Sequence, residues 1–196
     1  AVFDIDRVSL GGPIFDLEKL DWLNGLWIRE SLSDHALAER LIRWAFNSDK
    51  LAQVIPHVKP RMEKLSDFLP VAAFLASGQL PISEADFAPN KLAGDEQVKV
   101  LQFALWRLEA QDDWQREALF ATLKALADLL GIKMKEFLAP LFVAIAGTTA
   151  SFSVMDGMAL LGSDMSRARI RHAIEVLGGV SKKRAKALDK EFRRLG

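Results

Sequence analysis

The chain has 196 residues, half of them hydrophobic, which is enough for one large or two small domains around a real core. It has no cysteine, which excludes disulfides, thiolate metal sites and cysteine nucleophiles and fits a reducing, cytoplasmic setting. Basic and acidic residues both total 26, and no run approaches the ~18 uncharged apolar residues of a membrane span, so neither export nor insertion is expected.

In chain order, an irregular opening with Gly11, Gly12 and Pro13 gives way to residues 16–30, where Leu20, Leu23, Trp27 and Ile28 fall on one helical stripe. Ser33 caps a second helix carrying Leu37, Leu41, Trp44 and Ala45, and Ser48 caps a third beginning at Asp49. Pro56 and Pro60 follow. Each lacks a backbone donor and clashes with the preceding turn, so residues 57–63 should be a bent or newly started helix that projects side chains outward. A further helix is predicted over 66–76, with Pro70 in its first turn.

The stretch from Ser77 to Gly94 contains Pro81 and Pro89 and has no sustained period, which places a subdomain boundary near Ser83. Asp95 is expected to cap a helix through Leu108, and Asp113 another through Leu130, ended by Gly131. Helices follow at about 133–146, 154–161, 164–177 and 182–195, separated by Gly147, Gly162 and the Gly178–Gly179 pair. Trp22, Trp27, Trp44, Trp106 and Trp114 mostly lie on apolar stripes, which favours core packing over base stacking. Alternating β-branched runs are missing, so the fold class is all-α. It is read as two consecutive helical bundle subdomains, 16–83 and 84–196.

Charge is unevenly spread. From Ser163 to Gly196 ten basic residues face four acidic ones, so the rest of this neutral chain carries a compensating excess of six negative charges. Arg167, Arg171, Lys182 and Lys183 are the candidate phosphate contacts of that basic end, although a lysine- and arginine-rich helix is equally often plain solvated surface. His35, His57 and His172 lie on different helices without the carboxylate spacing of a helical metal motif. The glycines form neither a dinucleotide fingerprint nor a phosphate-cradling loop, and no general acid/base pair stands out. No catalytic, metal or cofactor residue is assigned.

The run from Phe15 to Gly25, with Arg29 after it, resembles the FDxxKLxWLNGxxIR signature of bacterial glutamyl-tRNA synthetases. The likeness continues through Lys59-Pro60-Arg61, Leu65 to Phe68, Trp114, Pro140-Leu141, Ala144 to Gly147 and Leu160 to Gly162, with Arg169 and Ala173 beyond. In the family this region follows the catalytic nucleotide-binding domain, so residues 1–15, with Asp6 to Ser9, are expected to be the junction from it. That domain's ATP-binding signatures have no counterpart here.

The resemblance implies a C-terminal piece of a longer ligase, with no catalysis of its own. ATP and magnesium would serve the catalytic domain, and the piece would receive the anticodon stem-loop of a glutamate-accepting tRNA, with glutamine tRNA a second candidate partner. A monomer is expected. The anticodon contacts it implies are Lys59 and Arg61 in the kinked segment, and Thr149, Ala150, Ser151, Phe152 and Val154 in the later loop. Flat and forked side chains suit unpaired bases. The tail after Gly179 lies outside the likeness, Phe142 stands where the family has arginine, and Phe152 stands where it has proline. Losing a guanidinium at Phe142 removes every donor there, which leaves tRNA identity open. The competing reading is a helical protein-interaction domain with a basic tail.

Overall fold

A computed structural model of the chain describes residues 16–148 and 152–195. Among them run α1 (Leu17–Ser31), α2 (Asp34–Ala45), α3 (Ser48–Val58), α4 (Phe68–Ala72), α5 (Glu84–Phe87) and α6 (Gly94–Glu109). They are followed by α7 (Arg116–Leu129), α8 (Met134–Ala146), α9 (Val154–Leu161), α10 (Ser163–Val176) and α11 (Lys182–Phe192). Short 3-10 turns lie at Lys59–Arg61, Leu65–Asp67 and Ala73–Ala76, and the described residues contain no strand, as the all-α expectation requires. No helix among them is long and apolar enough to cross a membrane.

The chain divides into two compact units between Asn47 and Ser48. In the first, Asp16 caps α1 by accepting from the Lys19 N–H at 3.1 Å, and Ser33 caps α2 by accepting from the Ala36 N–H at 3.2 Å. The Arg40 guanidinium lies over the Trp27 ring, 4.8 Å from its centroid. Trp22, Trp27 and Trp44 are all about half exposed, against the core packing expected of them. The helices carry apolar stripes, but two short helices alone have too little surface to bury them on.

The second unit contains the core. Val98, Leu101, Leu105 and Leu108 of α6 are buried, with Leu119 and Leu123 of α7, Phe137 and Leu141 of α8, Met158 of α9 and Ile170 of α10. Burying each such side chain contributes about 1.5–3 kcal/mol. Helix α10 packs on α6 and α8, while α9 lies against α7 and α8. Gly147, at φ 72°, takes the left-handed conformation that closes α8, its N–H donating to Val143 O at 2.9 Å. Leu80 and Phe87 are buried in the core of this unit, so the segment from which a boundary near Ser83 was read contributes to its interior.

Three local expectations differ from the structure. Helix α6 begins at Gly94, with Glu96 accepting from the Ala93 N–H, so Asp95 sits inside the first turn. Asp113 accepts from the Gln115 N–H at 3.0 Å, a two-residue Asx turn that delays α7 to Arg116. The single helix predicted over 66–76 is broken into 3-10, α and 3-10 pieces. Pro70 is the third residue of the five-residue α4 and contributes no donor, so the chain tightens on either side of it.

One buried charge ties the second unit together. Arg169 of α10 is 1% exposed. Its Nη2 donates to Phe74 O and Ser77 O at 2.6 Å each, its Nε to Gly78 O at 2.9 Å, and its Nη1 to Ile145 O at 2.5 Å. These carbonyls lie where the 73–76 turn and α8 end, regions that also carry partial negative charge, and of the four Phe74 O also accepts from the Ser77 N–H at 3.3 Å. Burial pulls the guanidinium down to about 10, still well above neutrality, so it stays charged.

Replacing it as Arg169→Met keeps the length of the side chain and removes the donors to Ser77 O, Gly78 O and Ile145 O. The variant should lose about 3 kcal/mol or more of unfolding free energy in a urea titration followed by helicity. A loss below about 1 kcal/mol would show the carbonyls to be satisfied without it.

Candidate nucleic-acid interface

Helix α3 ends at Val58, which is fully buried, and the chain turns at once into Lys59–Arg61 with Pro60 at its centre. The turn is closed by the Met62 N–H donating to Lys59 O at 3.2 Å. The residue after it is held as well, because the Glu63 and Lys64 N–H groups both donate to Asp67 Oδ2, at 2.9 and 3.0 Å. Lys59 and Arg61 are exposed, as the proline kink predicts. Arg61 is braced by one bond, from Nη1 to His57 O at 2.9 Å, which leaves most of the guanidinium fork free to address a ligand.

Ninety residues further on, the start of α9 meets the same place. The Phe152 ring stacks on His57, centroids 5.6 Å apart and 24° between planes, and packs against Phe74 at 5.4 Å on its other side. His57 Nδ1 faces Asp156 Oδ2 at 3.7 Å, and Asp156 Oδ1 is held by Arg116 Nε at 3.0 Å. The two segments expected to form one surface are therefore joined through His57. Nothing in the sequence marked His57, Asp156 or Arg116, whose partnership exists only once α3, α7 and α9 are packed.

Of the residues expected in the later loop, Thr149, Ala150 and Ser151 lie outside the described residues. Phe152 and Val154, also expected as contacts, are both 2% exposed and belong to the core. The chain turns inward directly after the loop, and the Phe152 ring fills the space between His57 and Phe74, so it secures α9 and has no face free for a base.

Two of the expected phosphate contacts are engaged within the protein. Arg167 donates from Nε and Nη2 to Leu108 O, at 3.1 and 2.7 Å, and reaches Gln111 O at 3.3 Å. With its guanidinium over Trp114, it acts as a cap on the end of α6. Arg171 is exposed but paired, its Nη2 2.6 Å from Glu109 Oε1. Lys182 and Lys183 are exposed in the first turn of α11, whose Ser181 cap accepts from the Arg184 N–H, and neither has an ion-pair partner among the described residues.

A cleft of about 290 Å³ opens beside Gly147 and Thr148, lined by Val71, Phe74, Ser77, Ile82 and Asp86 among others. Arg169 braces its walls through carbonyls on both sides. Hydrogen bonds from the Ser83 backbone and hydroxyl hold the Asp86 carboxyl below its ordinary range. Its contribution to starting α5 is therefore present above that ordinary range and fades as pH falls through the depressed value. Among the described residues no group of three or more histidines and carboxylates is placed to hold a metal ion.

Comparison with known proteins identifies the family. A family model described as an anticodon binding domain matches residues 36–174. The chain is 66% identical over 190 residues to a glutamate–tRNA ligase of Saccharophagus degradans, covering 97% of this chain and 38% of that protein. It is 59% identical over 193 residues to the glutamate–tRNA ligase of Cellvibrio japonicus, covering 98% and 38%. The chain thus spans well under half the length of these relatives. In fold it is similar to a solved glutamate tRNA ligase from Elizabethkingia meningosepticum, with a TM-score of 0.61 over 89% of this chain and 35% of that one, at 22% identity. With the family model spanning most of its length, the chain belongs to the anticodon binding domain family.

Proposed function

We propose that this chain is the anticodon-reading portion of a glutamate–tRNA ligase, receiving the anticodon loop of a glutamate-accepting tRNA on the face formed by the Lys59–Arg61 turn and the chain around α9. The observation that carries the reading is the exposed, lightly braced Arg61 on a rigid proline turn, within a family whose model is described by anticodon binding. An arginine fork addresses two acceptors on one base edge, and a turn fixed at both ends holds it in place for that. Phe142 is part-buried in α8, so where relatives of the resembled family carry arginine this chain offers no donor. Lys59 and Arg61 carry the polar contacts in this proposal, and Lys182 and Lys183 supply sequence-independent attraction to phosphate. Activation of glutamate with ATP and magnesium falls, in the same proposal, to the portion of the relatives that this chain does not span. The protein works as a monomer in the cytoplasm.

Arg61→Gln keeps a polar side chain but removes the charge and the fork. In titrations against transcripts that differ only in the anticodon, it should weaken the preferred transcript by on the order of 1 to 3 kcal/mol and the altered one by less. Parallel weakening of both would assign Arg61 to the backbone.

Lys182→Ala with Lys183→Ala should act differently, lowering affinity for every tRNA alike and flattening the salt dependence by roughly one unit of slope per lost phosphate contact. An unchanged slope would remove both lysines from the interface. The purified chain should also show no glutamate-dependent exchange of pyrophosphate into ATP, and exchange from a clean preparation would overturn the division of labour.

A further inference from the structure

We propose that His57 is a positioning residue for anticodon discrimination, coupling the turn that presents Arg61 to the start of α9. The inference rests on the anticodon-reading proposal and concerns a residue that none of the resemblance, the family match or the relatives singles out.

The geometry is specific. His57 makes contact through both its parts: its backbone carbonyl takes the Arg61 Nη1 donor, and its ring lies on Phe152. The ring is itself oriented, because Nδ1 faces Asp156 and that carboxylate is fixed on its other oxygen by Arg116 of α7. Three helices thus converge on one imidazole. Val58, the next residue, is fully buried, so the end of α3 cannot slide without disturbing the core. A shift at Phe152 therefore reaches the carbonyl that braces Arg61 through a single side chain, with no loop to absorb it.

The chemistry of the ring suits this role. A flat side chain stacks on Phe152, and a polar edge lets Asp156 set the ring's rotation, a combination that phenylalanine and asparagine each supply only by half. The ring faces Phe152 and Asp156, with Arg116 behind that carboxylate, while the Arg61 guanidinium bonds the His57 backbone carbonyl. Because His57 acts through Arg61, its removal should change selectivity more than overall affinity.

The test is a double-mutant cycle on the full 196-residue chain, made with His57→Ala, Arg61→Gln and the pair, titrated with two transcripts that differ only in the anticodon. His57→Ala should lower the ratio of the two affinities by roughly tenfold while leaving helicity and phosphate-driven binding to the altered transcript nearly unchanged. In the Arg61→Gln background it should change the ratio by less than about twofold, because the coupling has already lost its output.

His57→Phe, which retains the stack and loses the polar edge, should recover part of the ratio, and it serves as the folded counterpart if the alanine variant is unstable. Equal effects of His57→Ala in both backgrounds, or no effect on the ratio in a folded His57→Phe and His57→Ala pair, would overturn the coupling while the Arg61 reading stands. If Arg61→Gln itself leaves the ratio unchanged, the anticodon reading fails first and the coupling falls with it.

Discussion

The second unit depends on a cation placed where an apolar residue would be expected. Arg169 is enclosed, and its charge is balanced by carbonyls from two chain ends that converge on it, those of Phe74, Ser77 and Gly78 on one side and of Ile145 on the other. An apolar side chain would take their donor from Ser77 O, Gly78 O and Ile145 O, while Phe74 O would keep only the Ser77 N–H, at a penalty of about 1–3 kcal/mol for each one left unsatisfied. Because Ile145 lies just before the Gly147 turn and Phe74 packs on Phe152, the same guanidinium sets the distance between the end of α8 and the ring beneath His57. The candidate interface therefore takes its shape from an interaction buried behind it.

That arrangement bears on how a neutral chain would present the proposed nucleic-acid surface. Several of the basic residues at its C-terminal end serve the protein itself: Arg167 caps α6, Arg169 links the core, Arg171 pairs with Glu109 and Arg184 pairs with Asp95. Other cations have no ion-pair partner among the described residues. Lys59 and Arg61 stand on a braced turn, and Lys182 and Lys183 stand on the first turn of α11. In the proposed function, binding built this way would take modest attraction from phosphate and obtain selectivity from rigid placement of a few donors.

Much of the helical plan was legible in the sequence because punctuation and periodicity agree. Helix α9 runs from Val154 to Leu161 as its glycine boundaries predict, and Pro60 lies in a 3-10 turn that exposes Arg61, while Pro56 is carried inside α3 without ending it. Other features were not legible for physical reasons. Asp113 looks like a helix cap but satisfies itself in a two-residue turn, which no spacing rule separates from a true cap. The buried role of Arg169 was not legible from charge alone, although it shares a stripe with Ser166, Ile170 and Ala173, all buried, and a cation on such a stripe is the available signal. The His57–Phe152 stack had no local trace, since its partners are brought together only by the packing of α3 against α9.

In the proposed function the Lys59–Arg61 turn and the chain around α9 form one surface that holds an anticodon loop. Chemical footprinting of a glutamate-accepting tRNA transcript bound to this chain tests it most directly. Protection concentrated on the anticodon nucleotides, and lost when those nucleotides are changed, is the predicted result. Protection spread evenly along the phosphates, or confined to the acceptor end, would contradict it.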